Sequence, residues 1–300
     1  MTIQQNNFSE FDLIKRFRRK ITTDATVFKG SGDDCAVLNF DRKHYQLFTC
    51  DMLVQGVDFT VDTDLKLVGR KALAVSISDI ASCAGLPRQA VISLGLPKTM
   101  SLKQIDRLAA GFFALAKDYK INIVGGDISS SQKLVIDVSM LGIVEKNNLC
   151  LRQGAKNNDL IFVSGALGGS ISGKHLKFTP RLKEARFLTA HAKINAMIDI
   201  SDGLAQDLGH ILEASGKGAL LYEEFIPQSR SSRGISDALY SGEDFELLFT
   251  LSPSEAKKIS QAKGFNFRRI GYITKESGLK MVKKNKLVTL LALKGFDHFR

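Results

Sequence analysis

The chain has 300 residues, 44% hydrophobic and 24% charged, enough apolar material for two globular domains. No stretch reaches the roughly 20 apolar residues of a spanning helix, and the polar start MTIQQNNFSEFD lacks the apolar run of a signal peptide, so a cytoplasmic protein is expected. The net charge of +11 gathers in the first predicted helix (Lys15, Arg16, Arg18, Arg19, Lys20) and near the C-terminus, without interleaved aromatics, which argues for anionic metabolites and against nucleic acid.

Ser9 and Asp12 form a capping box that starts a helix, with Phe8 placed to staple onto Leu13. Residues 45–50 and 54–60 read as strands. Residues 65–84 read as a helix apolar nearly all round, hence buried, ended by Gly85 and Pro87. A strand over 89–96 follows. Ser101 and Gln104 then cap an amphipathic helix over 102–119. A strand over 121–124 runs into Gly125, Gly126 and Asp127, and a longer strand covers 134–145.

The polar connection Lys146, Asn147, Asn148 sets the expected boundary, with domains over 1–147 and 148–300. The second half offers strands over 160–164 and 196–200 and a helix starting at Thr179 and Pro180. A helix over 204–214 ends at Gly216. A strand over 246–251, a helix capped by Ser252 and Glu255, and strands within 267–291 complete the chain. Strands and helices mix without strict alternation. The expected class is therefore α+β in two domains, with helices on one face of each sheet, and not a doubly wound parallel sheet.

Cys35, Cys50, Cys83 and Cys150 show no paired or zinc spacing, and read as reduced thiols. The five histidines are dispersed, which argues against histidine-based metal or triad chemistry. There is no G-x-x-x-x-G-K-[ST] loop.

What stands out is a series of aspartates in short Gly/Ser-rich clusters: residues 30–34 (GSGDD), 49–51 (TCD), 78–79 (SD), 125–127 (GGD), 199–203 (DISDG) and 241–244 (SGED). Glycine lets the backbone approach a ligand, and carboxylates beside it suit hard cations with oxygen ligands. Taken singly, each cluster is also ordinary turn chemistry. Asp79 differs, because it interrupts an apolar helix, where an unpaired carboxylate costs several kcal/mol. ATP bound without a P-loop lysine needs metal ions for most of its counter-charge.

The clusters GSGDDCAVL, CDMLVQGV, KALAVSISD, GGD, DISDGL and SGEDFELLF, with the ending GFDHF, resemble in order those of thiamine-monophosphate kinases, from about residue 10 to residue 299. The resemblance implies ATP-dependent conversion of thiamine monophosphate to thiamine diphosphate, by direct in-line transfer assisted by several Mg²⁺ ions. It implies a homodimer built on an N-terminal mixed sheet with helices, and a C-terminal α/β domain. Carried over by position, it makes Asp34, Thr49, Cys50, Asp51, Asp79, Asp127, Asp199 and Asp202 metal ligands, with Asp79, Asp127 and Asp202 central to catalysis. Gly126, Asp127, Arg152 and Ser201 fall at nucleotide positions, and Asp58, Glu243 and Leu293 at substrate positions. Cys50 replaces a usual threonine, and thiol is a poor Mg²⁺ partner, so only its backbone carbonyl is expected to ligate. Asp58 replaces a common histidine, and Leu293 stands where a stacking aromatic can occur. These two departures keep open another acceptor, as in the related aminoimidazole ribonucleotide synthetases.

Overall fold

Ser9 accepts the Asp12 N–H while Asp12 accepts the Ser9 N–H, closing the capping box that starts helix α1 (Glu10–Arg18). The computed structural model describes residues 8–260 and 264–299. A first sheet contains β1 (Val27–Lys29), β2 (Ala36–Asn39), β3 (His44–Val54), β4 (Leu86–Pro97), β5 (Asn122–Ser131) and β6 (Val135–Glu145), in the order β1-β2-β3-β6-β4-β5. Every pairing is antiparallel except β4 with β5.

Helices α2 (Leu65–Ser82) and α3 (Leu102–Tyr119) lie against one face. Their backbones touch through two glycines: a Cβ on Gly69 would fall 2.1 Å from Leu108 O, and one on Gly111 2.1 Å from Lys66 O. Larger residues there would push the helices apart. Alternation along β3 puts Leu47, Thr49, Asp51 and Leu53 toward the helices and leaves Phe48, Cys50 and Met52 exposed on the other face.

Two expected elements differ. Residues 54–60 are no strand. β3 runs unbroken to Val54, and the chain then turns so that the Gly56 N–H reaches Phe59 O at 2.7 Å. The strand expected to stop before Gly125 continues as β5 to Ser131, because pairing with β4 absorbs the glycines through a bulge at Ala90 and Val91.

The second sheet has the order β13-β12-β9-β11-β7-β10-β8. Its strands are β7 (Leu160–Val163), β8 (Ala196–Asp199), β9 (Gly218–Tyr222), β10 (Leu247–Leu251), β11 (Arg268–Thr274), β12 (Gly278–Val282) and β13 (Val288–Leu290). Its helices are α4 (Lys174–Lys177), α5 (Leu182–His191), α6 (Leu204–Ser215), α7 (Ile235–Tyr240) and α8 (Pro253–Ile259). Here both faces are covered, against the one-face expectation. Leu204, Leu208 and Ile211 of α6 cluster with Ile161, Val163 and Leu248. Leu188 of α5 and Ile259 of α8 cluster with Met197, Leu247 and Phe249. The strands are short and apolar at successive positions, which is the pattern of a sheet buried twice.

Helix α2 is the joint between the two sheets. Arg70 Nη2 donates to Phe178 O at 2.6 Å, and Ser78 Oγ donates to Asp199 Oδ2 at 2.5 Å. Among the described residues no helix is long and apolar enough to cross a membrane.

Candidate active site

Helix α2 needs no polar side chain to bury its Val68–Ala81 face, yet it buries Lys71, Ser76 and Ser78 there and sets Asp79 half-buried at its edge. Three of these join hydroxyl–carboxylate pairs. Ser76 Oγ donates to Asp51 Oδ2 at 2.7 Å, Ser78 Oγ donates to Asp199 Oδ2, and Asp79 Oδ2 accepts from Thr49 Oγ1. Asp34, in the turn before β2, completes the group. Its Oδ1 accepts from Arg152 Nε at 2.9 Å and Nη2 at 2.6 Å. The neighbouring Asp33 accepts from Arg152 N at 2.8 Å.

The electrostatics are those of crowded carboxylates. Burial, then the charges of Asp137 and Asp34, push Asp51 up to about 6 against the Ser76 hydrogen bond. Burial and Asp34 push Asp199 up to about 8. Asp79 is driven well above the carboxylate range by burial, then by Asp51, Asp199 and Asp34. Arg152 is the cation hydrogen-bonded to this group, and it contacts only one oxygen of Asp34. The other, Oδ2, is buried without a hydrogen-bond donor. An orphaned carboxylate oxygen among oxygen-only donors that repel one another fits a hard divalent cation, Mg²⁺ included.

Asp202 follows β8 in a loop shaped by a residue that the sequence reading missed. Asp207 Oδ2 accepts the N–H groups of Ser201, Asp202 and Gly203 at 3.1, 3.1 and 3.0 Å. The signal was available: a carboxylate in the first turn of a helix that follows a glycine turn is placed to cap orphan N–H groups. Asp202 is pushed up to about 6 by burial and then by Glu10. Ligand atoms of Asp202, Asp207 and His210 lie within 4.8 Å of one another, a second place where oxygen and nitrogen donors converge. The C-terminal segment closes over the loop, with the Phe296 N–H reaching Asp202 O at 3.0 Å.

Two cavities share Glu10 and Asp202. One, of about 560 Å³, is also lined by Asp51, Asp58, Ser201, Glu243 and Phe296, and among the described residues no Lys or Arg lines it. The other, of about 470 Å³, gathers Lys15, Arg18, Lys29 and Arg152 beside Glu10, Asp202 and Glu213. The first suits a cationic group, and the four cations of the second can receive an anionic one.

Residues 32–144 match the AIR synthase related protein, N-terminal domain, and residues 153–284 match its C-terminal domain. The thiamine-monophosphate kinase of Buchnera aphidicola subsp. Schizaphis graminum is 35% identical, over 97% of this chain and 99% of that one. The chain belongs to the thiamine-monophosphate kinase family. The Bacillus subtilis member is 32% identical over 97% of this chain and 99% of its own. A structure of AaThiL complexed with AMPPCP and TMP superposes with a TM-score of 0.86 at 29% identity, covering 99% of both chains. Hydrogenase maturation protein HypE in complex with ATP, at 18% identity and a TM-score of 0.73 over 85% of this chain and 87% of that one, shares the fold alone.

Within this thiamine-monophosphate kinase family member, the structure brings together Asp34, Thr49, Asp51, Asp79, Asp199 and Arg152, and joins Ser201, Asp202, Asp58 and Glu243 to them around the acidic cavity. Other expected site residues fall elsewhere. The Cys50 side chain points to the opposite face of β3, where Sγ lies 3.1 Å from Asp137 Oδ2, because one residue along a strand reverses the face. Gly126 and Asp127 sit on edge strand β5, exposed. Asp51 pairs with Val138, Val138 with Ile92, and Ile92 with Gly126. Three strand spacings separate Gly126 from Asp51, about 14 Å, and Asp127 is on the far face. Leu293 packs on Gly209 of α6 and lines a third cavity with Phe11 and His210. Phe245 and Phe296 line the acidic cavity instead, Phe296 held there by its N–H bond to Asp202 O.

Proposed function

We propose that this chain transfers the γ-phosphoryl group of ATP to thiamine monophosphate, giving thiamine diphosphate and ADP. The observation that carries the reading is the convergence of Asp34, Asp51, Asp79 and Asp199 at one end of an acidic cavity that shares Asp202 with a second cavity where Lys15, Arg18, Lys29 and Arg152 gather. Kinship with thiamine-monophosphate kinases along almost the whole chain supports it, as does likeness to a structure complexed with AMPPCP and TMP.

In this reading Arg152, with Arg18 and Lys29 beside it, holds nucleotide phosphate in the second cavity. Asp58 and Glu243 draw the positively charged thiazolium into the acidic cavity, so that the acceptor phosphate points at the carboxylate cluster. A phosphate oxygen of thiamine monophosphate forms the new bond to the γ-phosphorus as the bond to the ADP oxygen breaks. That oxygen is already anionic near neutral pH, so no strong general base is required. The obstacle is repulsion between two polyanions held close. Mg²⁺ held by Asp34, Asp51, Asp79, Asp199 and Asp202 supplies the counter-charge that screens it. Thr49, Ser76 and Ser78 fix the rotamers of the carboxylates, and Asp207 fixes the loop of Asp202. Asp127 and Gly126 belong to this reading only if the nucleotide reaches β5. A working homodimer and a cytoplasmic location are also part of the proposal. They are supported by Phe48 and Met52 exposed on the open face of the first sheet, and by four free thiols.

The test is an acceptor panel. ATP consumption is measured with thiamine monophosphate and with aminoimidazole precursors. Consumption that requires thiamine monophosphate and yields one thiamine diphosphate per ADP is expected. Consumption that responds only to an aminoimidazole precursor contradicts the reading.

A further inference from the structure

The geometry points to Lys71 as a positioning residue that holds the acceptor end of the cleft by fixing Glu243 and the turn of Asp58, an inference that rests on the phosphoryl-transfer reading above. Lys71 is fully buried, with no exposed surface. It lies on α2 among Ala72, Leu73, Ala74 and Val75, where an ammonium group is costly unless its donors are used. Its Nζ donates to Asp58 O at 2.9 Å and to Glu243 Oε1. The partners come from opposite sides of the cleft. Asp58 ends the turn after β3 of the first sheet, and Glu243 follows α7 of the second unit.

Both partners are otherwise held in ways that leave a side chain facing the acidic cavity. Asp58 Oδ2 accepts the Val54 N–H at 2.7 Å, which closes its own turn. Glu243 has left-handed backbone, φ 54°, and its N–H donates to Ser201 O at 2.6 Å. With Oε1 taken by Lys71, Oε2 has no protein donor among the described residues. Glu243 is therefore anchored at one oxygen and open at the other, which is the arrangement needed to orient a cationic or N–H-bearing ligand. Lys71 itself does not line the cavity. It makes no hydrogen bond to Arg152 or to Asp34, Asp51, Asp79 and Asp199. Its loss should loosen the acceptor site and leave the nucleotide site as it was.

Steady-state kinetics of the full chain test this with Lys71→Met, Glu243→Gln and the double variant. Losing a charged hydrogen bond of this kind raises the KM for thiamine monophosphate by about 10- to 100-fold, with the KM for ATP within about twofold of wild type. Because Lys71 acts in part through Glu243, the penalty of the double variant should fall short of the product of the two single penalties. A parallel rise in both KM values, or penalties that multiply in the double variant, overturns the inference and leaves Lys71 a structural lysine. If Lys71→Met does not fold, Lys71→Gln, which keeps a donor for Asp58 O, and Glu243→Gln, which keeps Lys71, carry the same comparison. An unchanged KM for thiamine monophosphate in both overturns it. Wild-type protein that forms no thiamine diphosphate overturns the parent reading and this one together; active wild type with unshifted variants overturns this one alone.

Discussion

Ser78 Oγ donates to Asp199 Oδ2 at 2.5 Å, from the middle of α2 to the last residue of β8. The bond joins the two sheets inside the carboxylate cluster, so neither sheet holds the site alone. Thr49, Ser76 and Ser78 each give one hydroxyl to one aspartate. A hydroxyl orients a carboxylate without neutralising it, and leaves the cluster its charge.

Asp79 is where that charge is most costly, and the cost predicts a separation of activity from stability. Asp79→Asn removes a carboxylate that burial and three neighbours disfavour, while Thr49 can still donate to the amide oxygen. Turnover should fall by about two to three orders of magnitude. The melting temperature in metal-free buffer should not fall. Product formation and thermal melts of the same sample check both halves. A variant with normal turnover removes Asp79 from the site.

Stability should depend on pH with a definite sign. The folded-state pKa values of Asp51, about 6, and Asp199, about 8, lie above the usual carboxylate value, so the folded protein binds these protons more tightly than the unfolded chain. Their contribution is complete below about pH 4 and is lost as pH rises through these values. Metal-free protein should therefore melt progressively lower between about pH 5 and pH 8. Added MgCl₂ should recover more stability at the upper end of that range, where the carboxylates are ionised and free to bind a cation. Melts across this range with and without MgCl₂ give the answer, and a flat metal-free profile counts against the crowded cluster.

Under the proposed function, Arg152 should serve both the fold and nucleotide binding. Arg152→Met strands the buried Asp34, and should cost about 3 kcal/mol of stability, the scale for breaking a buried pair. It should also raise the KM for ATP. Arg152→Lys keeps the charge but loses the two-nitrogen grip on Asp34 Oδ1, and should fall between. Denaturant titration and ATP saturation curves read the two effects. Equal ATP affinity in all three proteins would remove Arg152 from the nucleotide site.

The C-terminal segment is predicted to matter through one glycine. A Cβ at Gly295 would lie 2.2 Å from Asp202 O, so Gly295→Ala must lift the segment off the Asp202 loop. Because that loop is held separately by Asp207, the cost in stability should stay near 1–3 kcal/mol. Turnover should drop more steeply than that stability loss accounts for. Comparing turnover at a temperature where the variant is fully folded separates the two.

Much of this was legible in the residues. The capping boxes of α1 and α3 and the left-handed Gly216 that ends α6 follow from local chemistry, and local chemistry is what sequence patterns report. Asp79 was legible because a carboxylate inside an apolar helix has few structural reasons to exist. Which carboxylates meet was not legible, since that depends on strand register and facing. Cys50 and Asp51 are adjacent in sequence and on opposite faces of β3, and the Gly125–Asp127 cluster reads as a turn until β4 pairs with it. Asp207 and Lys71 passed as ordinary helix residues because their partners, the N–H groups of 201–203 and Glu243, are contributed by loops whose path no local pattern encodes.

The most direct test of the central claim is thiamine diphosphate formation from ATP and thiamine monophosphate, followed by chromatography, for wild type and Asp79→Asn, each with Mg²⁺ and after chelation. Product at the wild-type rate is expected only from wild type with Mg²⁺. Product formed at the wild-type rate after chelation, or by Asp79→Asn, would contradict it.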